Sequence, residues 1–264
     1  MRRLPALRRV WSAPWLWLGV GMAQLALAAA LSVPLRAVLR AAMGPFTVTG
    51  ESRLFAALAE LVSHHPTIIA ALVTSLAGAA ALAALLAPLF AGAAIRRLAG
   101  PCAKGEQARA AVLHYPAALM IGLYGLVLRV LFAFMAAALG TLHSSLQIAG
   151  IVLALSFTTL VVDLTRVRVV LDGARGLHPR TFLRAMVTAA RAPGLWLRSG
   201  LVGLLHWAVA LAMLVTAVHG LDTAWSPWAV RGSALLATFV ALWRLAVAVE
   251  YVATAPRPPA PASP

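Results

Sequence analysis

The chain has 264 residues, of which 62% are hydrophobic and 11% are charged, and its mean hydropathy is +0.90. Soluble domains carry roughly 25% charged residues, so this composition excludes an ordinary soluble domain and indicates a membrane protein. The net charge of +15 would suit nucleic-acid binding, but the basic residues are spread over alternate connections between apolar segments, which indicates membrane topology instead.

Six apolar segments predict the membrane spans. A helix of about 20 residues crosses hydrocarbon that is about 30 Å thick, and each segment is near or above that length. In chain order the segments are Trp11–Leu35, Thr67–Ile95, Tyr115–Leu139, Leu146–Val162, Leu195–Val218 and Ala229–Val249. They predict an all-α fold, a polytopic membrane helix bundle of six transmembrane helices with short amphipathic interfacial helices.

The arginines indicate which span ends lie in the cytoplasm. Most of them precede the first span, follow the second or fourth span, or lie in the tail, while the remaining connections hold only Arg36, Arg40, Arg53 and Arg231. This positive-inside asymmetry predicts cytoplasmic N- and C-termini. An even number of spans requires the same arrangement.

The N-terminus allows one alternative. The basic start MRRLPALRRV, followed by an apolar run that ends in LALAAALS, resembles a secretory signal with a small-residue cleavage site. Trp11, Trp15 and Trp17 favour a retained helix instead, because tryptophan prefers the membrane interface and these residues lie at its predicted cytoplasmic end.

The third and fifth segments share a glycine pattern. GLYGL at 122–126 recurs as GLVGL at 200–204, which indicates either a transporter-like internal repeat or glycine-mediated helix packing. In the third segment, Arg129 shares a helix face with small residues, namely Gly122, Gly125, Ala133, Ala136 and Gly140. Since helices approach closely on such a face, Arg129 is expected to lie in the protein interior.

The fourth segment carries charges into the membrane. Ser156, Thr159, Asp163 and Arg166 form one stripe at helical spacing, whereas Arg168 and Asp172 form an i, i+4 surface pair farther along. An intramembrane charge normally faces protein and finds a partner, and the candidates for Asp163 are Arg129, Arg166 and Arg244. The intramembrane polar cluster therefore consists of Arg129, Asp163, Arg166, Arg244, Ser156 and Thr159. It is either a substrate-anion or proton site, or a structural contact that sets helix register.

Two connections are amphipathic. In the one after the fourth segment, Arg180, Arg184, Thr188 and Arg191 oppose an apolar face of Phe182, Leu183, Met186 and Ala190. This division predicts a helix in the inner interface with its arginines near anionic headgroups. A weaker apolar stripe runs from Ser52 to His64 on the outer side. Residues 1–255 are therefore expected to form the transmembrane domain, and the proline-rich residues 256–264 a disordered cytoplasmic tail.

Motifs for chemistry are missing from the sequence. It contains no nucleotide-binding, serine-hydrolase or zinc motif, and a single cysteine, Cys102, makes neither a disulfide nor a metal site. Neither enzymatic activity nor a catalytic residue, cofactor or metal is therefore expected.

Three elements carry a family resemblance: GAAIRRL at 92–98, D-x-x-R-x-x-x-V-L-D at 163–172, and RLAVAVEY at 244–251. With these elements the chain resembles a broad set of six-helix bacterial inner-membrane proteins without assigned function. Some of them are grouped with the membrane domain found beside glycerophosphodiester phosphodiesterases. The resemblance implies the same topology and an accessory or regulatory role, but not the phosphodiesterase activity, since the acidic metal ligands of that domain are absent.

Two functions are compatible with these features. The first is a non-enzymatic accessory or regulatory component of the bacterial cytoplasmic (inner) membrane. The alternative is a transporter of small solutes, anions or protons that uses the Arg/Asp cluster. A lipid-directed enzyme built on Asp163 with Ser156 or Thr159 is the weakest hypothesis. The expected partners are the lipid bilayer, anionic headgroups at the cytoplasmic face, and either a membrane protein partner or a second copy of the chain. Nucleic acid is not an expected partner.

Overall fold

A computed structural model describes residues 6–43, 66–141, 143–173, 178–219 and 226–255. Within these ranges the chain forms α-helices and no strand, which confirms the all-α prediction. The helices are α1 (Ala6–Trp11), α2 (Pro14–Met43), α3 (Pro66–Ala99), α4 (Lys104–Leu113), α5 (Tyr115–Gly140), α6 (Ser144–Asp172), α7 (Pro179–Arg191), α8 (Pro193–His219) and α9 (Ser226–Thr254). The predicted outer stripe from Ser52 to His64 and the predicted tail 256–264 lie outside the described residues.

Five helices are long and apolar enough to cross a membrane. The qualifying stretches lie in α3, α5, α6, α8 and α9, at Ala81–Ala99, Tyr115–Gly140, Ser144–Asp172, Pro193–Met213 and Arg231–Thr254. At the position of the first predicted span, α2 contributes a shorter apolar stretch, Pro14–Ala30. The chain is therefore a multi-pass membrane protein by helix length and composition, with five candidate spans among the described residues.

The helices divide between two compact units. The first, called here the arginine-rich unit, comprises the described parts of 1–13, 88–203 and 242–264, and the second comprises those of 14–87 and 204–241. Nearly all described arginines lie in the first, whereas the second contains only Arg36, Arg40 and Arg231 among them.

Helix α6 is the centre of the arginine-rich unit. Leu160, Leu164 and Val167 are fully buried, and the buried positions from Thr158 to Val169 cover more than one face of the helix. A helix that is apolar all round must be surrounded by other elements. Two of those elements are α5 and α8, since the Phe157 ring makes edge-to-face contacts with Phe132 of α5 and with Trp196 of α8.

The α5 and α6 helices pack closely through glycine. A Cβ atom on Gly125 would lie 2.5 Å from Cγ2 of Val162, so no larger residue fits there without rearrangement. Gly125 and Ala136 are both buried and Ala133 is exposed, so the predicted small-residue face of α5 meets protein in part. Such residues are typical of membrane helices whose backbones approach closely.

Helix α6 ends at a glycine turn that leads into α7. Gly173 has φ +64°, a left-handed conformation that glycine adopts without strain, and its N–H donates to the Arg168 carbonyl. In α7 the buried residues are Phe182, Ala185 and Ala189, and the Phe182 ring lies 5.6 Å from that of Tyr124. The apolar face of this helix is predicted to lie against lipid, but its Phe182 packs against protein. Leu183, 55% exposed, and Ala190 face away from the protein.

Two short helices pack at the end of α3. Arg9 of α1 donates from Nη1 to the Leu98 carbonyl at 2.9 Å, which satisfies a carbonyl that the helix end leaves free. Gly92 lets the α4 backbone approach, since a Cβ there would lie 3.1 Å from the Cα of Ala111. These contacts give the GAAIRRL element a packing role.

The second unit contains contacts of α2 and α8 with the first part of α9. The Thr238 hydroxyl donates to Oε1 of Gln24 at 2.8 Å, and Leu235 and Thr238 lie against Gly21. On α8, Nδ1 of His206 donates to the Ala237 carbonyl at 3.1 Å. Because a carbonyl only accepts, this contact requires the proton on Nδ1.

Candidate functional site

The central ion pair joins α6 to α9. Nε of Arg244 donates to Oδ2 of Asp163 at 2.9 Å, and the two side chains are 22% and 7% exposed. The expected ion pair of Asp163 is therefore present, and its partner is Arg244, which is 81 residues distant in the sequence. Charged hydrogen bonds of this kind are short and strong, so the pair fixes α9 against α6.

Arg166 lies beside this pair but is incompletely satisfied. Its Nε is buried and has no hydrogen-bond partner among the described residues. A Cβ atom on Gly122 of α5 would lie 3.7 Å from Nη2, an ordinary van der Waals distance, so the guanidinium group lies close to α5. Arg166 interacts electrostatically with Asp163, Arg129 and Arg244. Two guanidinium groups beside one carboxylate leave an excess of formal positive charge.

The prediction that Arg129 lies in the protein interior is wrong. Although Gly125 and Ala136 on its helix are buried, Arg129 itself is exposed. It lines a cavity of about 150 Å³ beside Ala154 and Leu155 of α6. Between α5 and α6 this cavity takes the place of a packed side chain next to Arg129. The small-residue face therefore does not bury Arg129.

The two hydroxyl residues of the predicted cluster make contacts that do not involve the ion pair. Thr159 donates to the carbonyl of Leu155 at 2.6 Å, within its own helix. Ser156 lies toward α8, where a Cβ on Gly200 would be 3.0 Å from its Oγ. The structure thus brings Asp163, Arg166 and Arg244 together, and places Ser156 and Thr159 in other contacts.

The expected surface pair of Arg168 with Asp172 is also wrong. Arg168 donates from Nη2 to Oγ1 of Thr188 at 2.9 Å, and no ion pair joins it to Asp172. The reason is the return of the chain through Gly173, which places α7 next to α6 and offers a nearer acceptor. Arg168 therefore links α6 to α7 instead of forming a surface pair with Asp172 on its own helix.

Known proteins give no match to this chain. Comparisons with models of protein families, with curated proteins and with solved structures each find no matching family, protein or structure. Within the described ranges, no three histidine, cysteine, aspartate or glutamate side chains are grouped so as to hold a metal ion.

Sequence reasoning missed one contact of the RLAVAVEY element. Oε2 of Glu250 accepts the backbone N–H of Ala6 at 2.9 Å, which satisfies a free amide at the start of α1. A carboxylate near a helix N-terminus is also favoured by the helix dipole. The sequence does single out Glu250, because it is an acidic residue at the inner end of an apolar segment. Its partner, however, lies 244 residues away in the sequence.

His114 marks the junction of α4 and α5. Burial lowers the pKa of its imidazole, so the ring is neutral at pH 7. A neutral ring suits the N-terminus of α5, where the helix dipole disfavours an added positive charge.

Proposed function

We propose that this chain is a non-enzymatic accessory or regulatory component of a bacterial inner membrane, with six spans and cytoplasmic termini. It engages a membrane protein partner through the arginines that surround its cytoplasmic ends. The resemblance of three short elements to six-helix inner-membrane proteins supports the same role. The arginine asymmetry supports the orientation.

One observation carries this proposal: the buried carboxylate is paired, while the arginines of α7 are left exposed. Asp163 is neutralised by Arg244 inside the protein. By contrast Arg180, Arg184 and Arg191 are exposed on α7, and an apolar stripe of Leu183 and Val187 runs beside them, 55% and 50% exposed. A cationic surface with an apolar stripe suits docking at a membrane interface.

Photocrosslinking in native membranes tests the proposal. A photoreactive residue at Val187 should capture a specific membrane protein. Substitution of Arg180, Arg184 and Arg191 by glutamine should abolish that capture. The matched control places the photoreactive residue at Trp228, 66% exposed in the second unit, where no arginine-dependent product is expected. Recovery of a lone monomer from both positions would contradict the proposal.

A second candidate function is transport of an anion, with or without protons. It is favoured by Arg166, whose buried Nε lacks a hydrogen-bond partner within the described residues, in a cluster with excess positive charge. Such a group attracts an anion. Reconstituted vesicles should then show anion or proton flux that Arg166→Gln abolishes and Asp172→Asn leaves unchanged. Absence of flux across a panel of organic anions would rule this function out.

A further inference from the structure

The arginine-rich unit contains a cavity that the proposed function does not use. Its volume is about 640 Å³, within the rough range of 300–1,000 Å³ found for small-molecule sites. It lies between α1, the first turns of α8 and the last turns of α9. A cavity of this size accommodates part of an amphiphilic molecule.

The two long walls of the cavity each combine polar and apolar side chains. On α8 the charged Arg198 lies between Leu195, one turn earlier, and Leu201 with Val202, one turn farther into the helix. On α9, which ends here, Tyr251 lies near the last turn and Val247 one turn before it. Arg198, Glu250 and Tyr251 therefore mark the polar end of the cavity, and the lining residues farther into both helices are apolar.

The charge in this cavity is available to a ligand. Arg198 is exposed, and among the described residues no hydrogen bond or ion pair engages it. The carboxylate that also lines the cavity, Glu250, already accepts the Ala6 amide. The free group at the polar end is thus a guanidinium, which binds phosphate oxygens in a planar, bidentate geometry.

We propose that this cavity binds one anionic glycerophospholipid. The phosphate is held by Arg198, and an acyl chain lies along Leu201, Val202 and Val247. Leu201 is 59% exposed, so its side chain is open to such a chain. A free phosphate would use only the polar end and leave the apolar walls uncovered, whereas a phospholipid matches both. The inference rests on the membrane placement of the proposed function, but not on the partner protein.

Native mass spectrometry of the full chain in detergent provides the test. Phosphatidylglycerol and phosphatidylcholine with identical acyl chains serve as probes. One phosphatidylglycerol should be retained in preference to phosphatidylcholine. Arg198→Gln should lower the affinity for phosphatidylglycerol about tenfold, the loss expected for one hydrogen bond to a charged group. Arg109→Gln removes the same charge from an exposed position on α4 outside the cavity, and should change the affinity by no more than about twofold.

A second variant tests the apolar end. Leu201→Trp should displace both lipids, because the larger side chain occupies the space of the acyl chain. Equal effects of the two arginine substitutions, equal retention of both lipids, or competition by millimolar inorganic phosphate would each overturn the proposal. If lipid binding fails while Val187 still captures a partner, the site is refuted and the proposed function stands. The reverse outcome refutes only the partner.

Discussion

At the scale of single residues, the Asp163 and Arg244 pair carries the clearest energetic consequence. A charge in the membrane interior is costly unless it is paired, and both partners are largely removed from solvent. Deleting one partner of a buried pair leaves the other uncompensated, which costs about 3 to 5 kcal/mol. Asp163→Asn should therefore lower the melting temperature in detergent clearly.

Asp172→Asn is the matched control for this substitution. Asp172 is exposed at the end of the same helix and makes no ion pair with Arg168, so the change should be nearly silent. Equal and negligible effects of the two substitutions would mean that the ion pair does not hold α6 and α9 together. Loss of flux with intact stability in Asp163→Asn would instead favour the transport function.

At the scale of elements, the two glycine patterns differ in what they pack against. Gly125 of α5 meets Val162 of α6, whereas Gly203, its counterpart in α8, has nothing within 4 Å of an added Cβ. Gly125→Ala should therefore destabilise the protein by about 1 to 3 kcal/mol through overpacking, measured by thermal unfolding in detergent.

Gly203→Ala provides the comparison for Gly125→Ala, because it adds the same methyl group without a clash. It should leave the melting temperature unchanged or raise it slightly, since alanine favours helix more than glycine does. A loss of stability in Gly203→Ala that matches the loss in Gly125→Ala would show that the α5 and α6 contact is not the cause.

The contact of α1 with the end of α3 also depends on one side chain. Arg9→Ala removes the hydrogen bond to the Leu98 carbonyl and a positive charge near a helix C-terminus, together worth about 1 kcal/mol. The last turn of α3 should then exchange its amide hydrogens faster. Arg8→Ala removes an exposed arginine from the same helix and should leave that exchange rate unchanged.

At the scale of the whole molecule, the segregation of arginines predicts the orientation in the membrane. Cys102, the single cysteine, lies between α3 and α4 and is partly exposed, so it reports the side on which that connection lies. A membrane-impermeant maleimide should label it in inverted vesicles but not in intact cells.

The control for this labelling is Ala229→Cys in a Cys102→Ser background. Ala229 is exposed near the start of α9, on the predicted outer side, so the new cysteine should be labelled in intact cells. Labelling of Cys102 itself in intact cells would place the basic connections outside and overturn the topology.

Much of the helical architecture follows from the sequence alone. The third apolar segment was predicted to end at Leu139 and the helix ends at Gly140. The small-residue face of α5 is predicted to meet protein, and Gly125 and Ala136 are buried, whereas Ala133 of that face is exposed. These features are local, because the length of an apolar run and its periodicity are properties of one segment. The same local information predicted that Asp163 must find an arginine.

Only the tertiary structure decided which arginine pairs with Asp163. Periodicity assigns residues to a face of one helix, but not the rotation of that helix against its neighbours. Arg129, Arg166 and Arg244 are therefore all candidate partners of Asp163 from the sequence. Packing selected Arg244, left Arg129 exposed beside a cavity, and redirected Arg168 to Thr188. The Glu250 contact with Ala6 and the cavity around Arg198 arise for the same reason, since each joins segments that are distant in sequence.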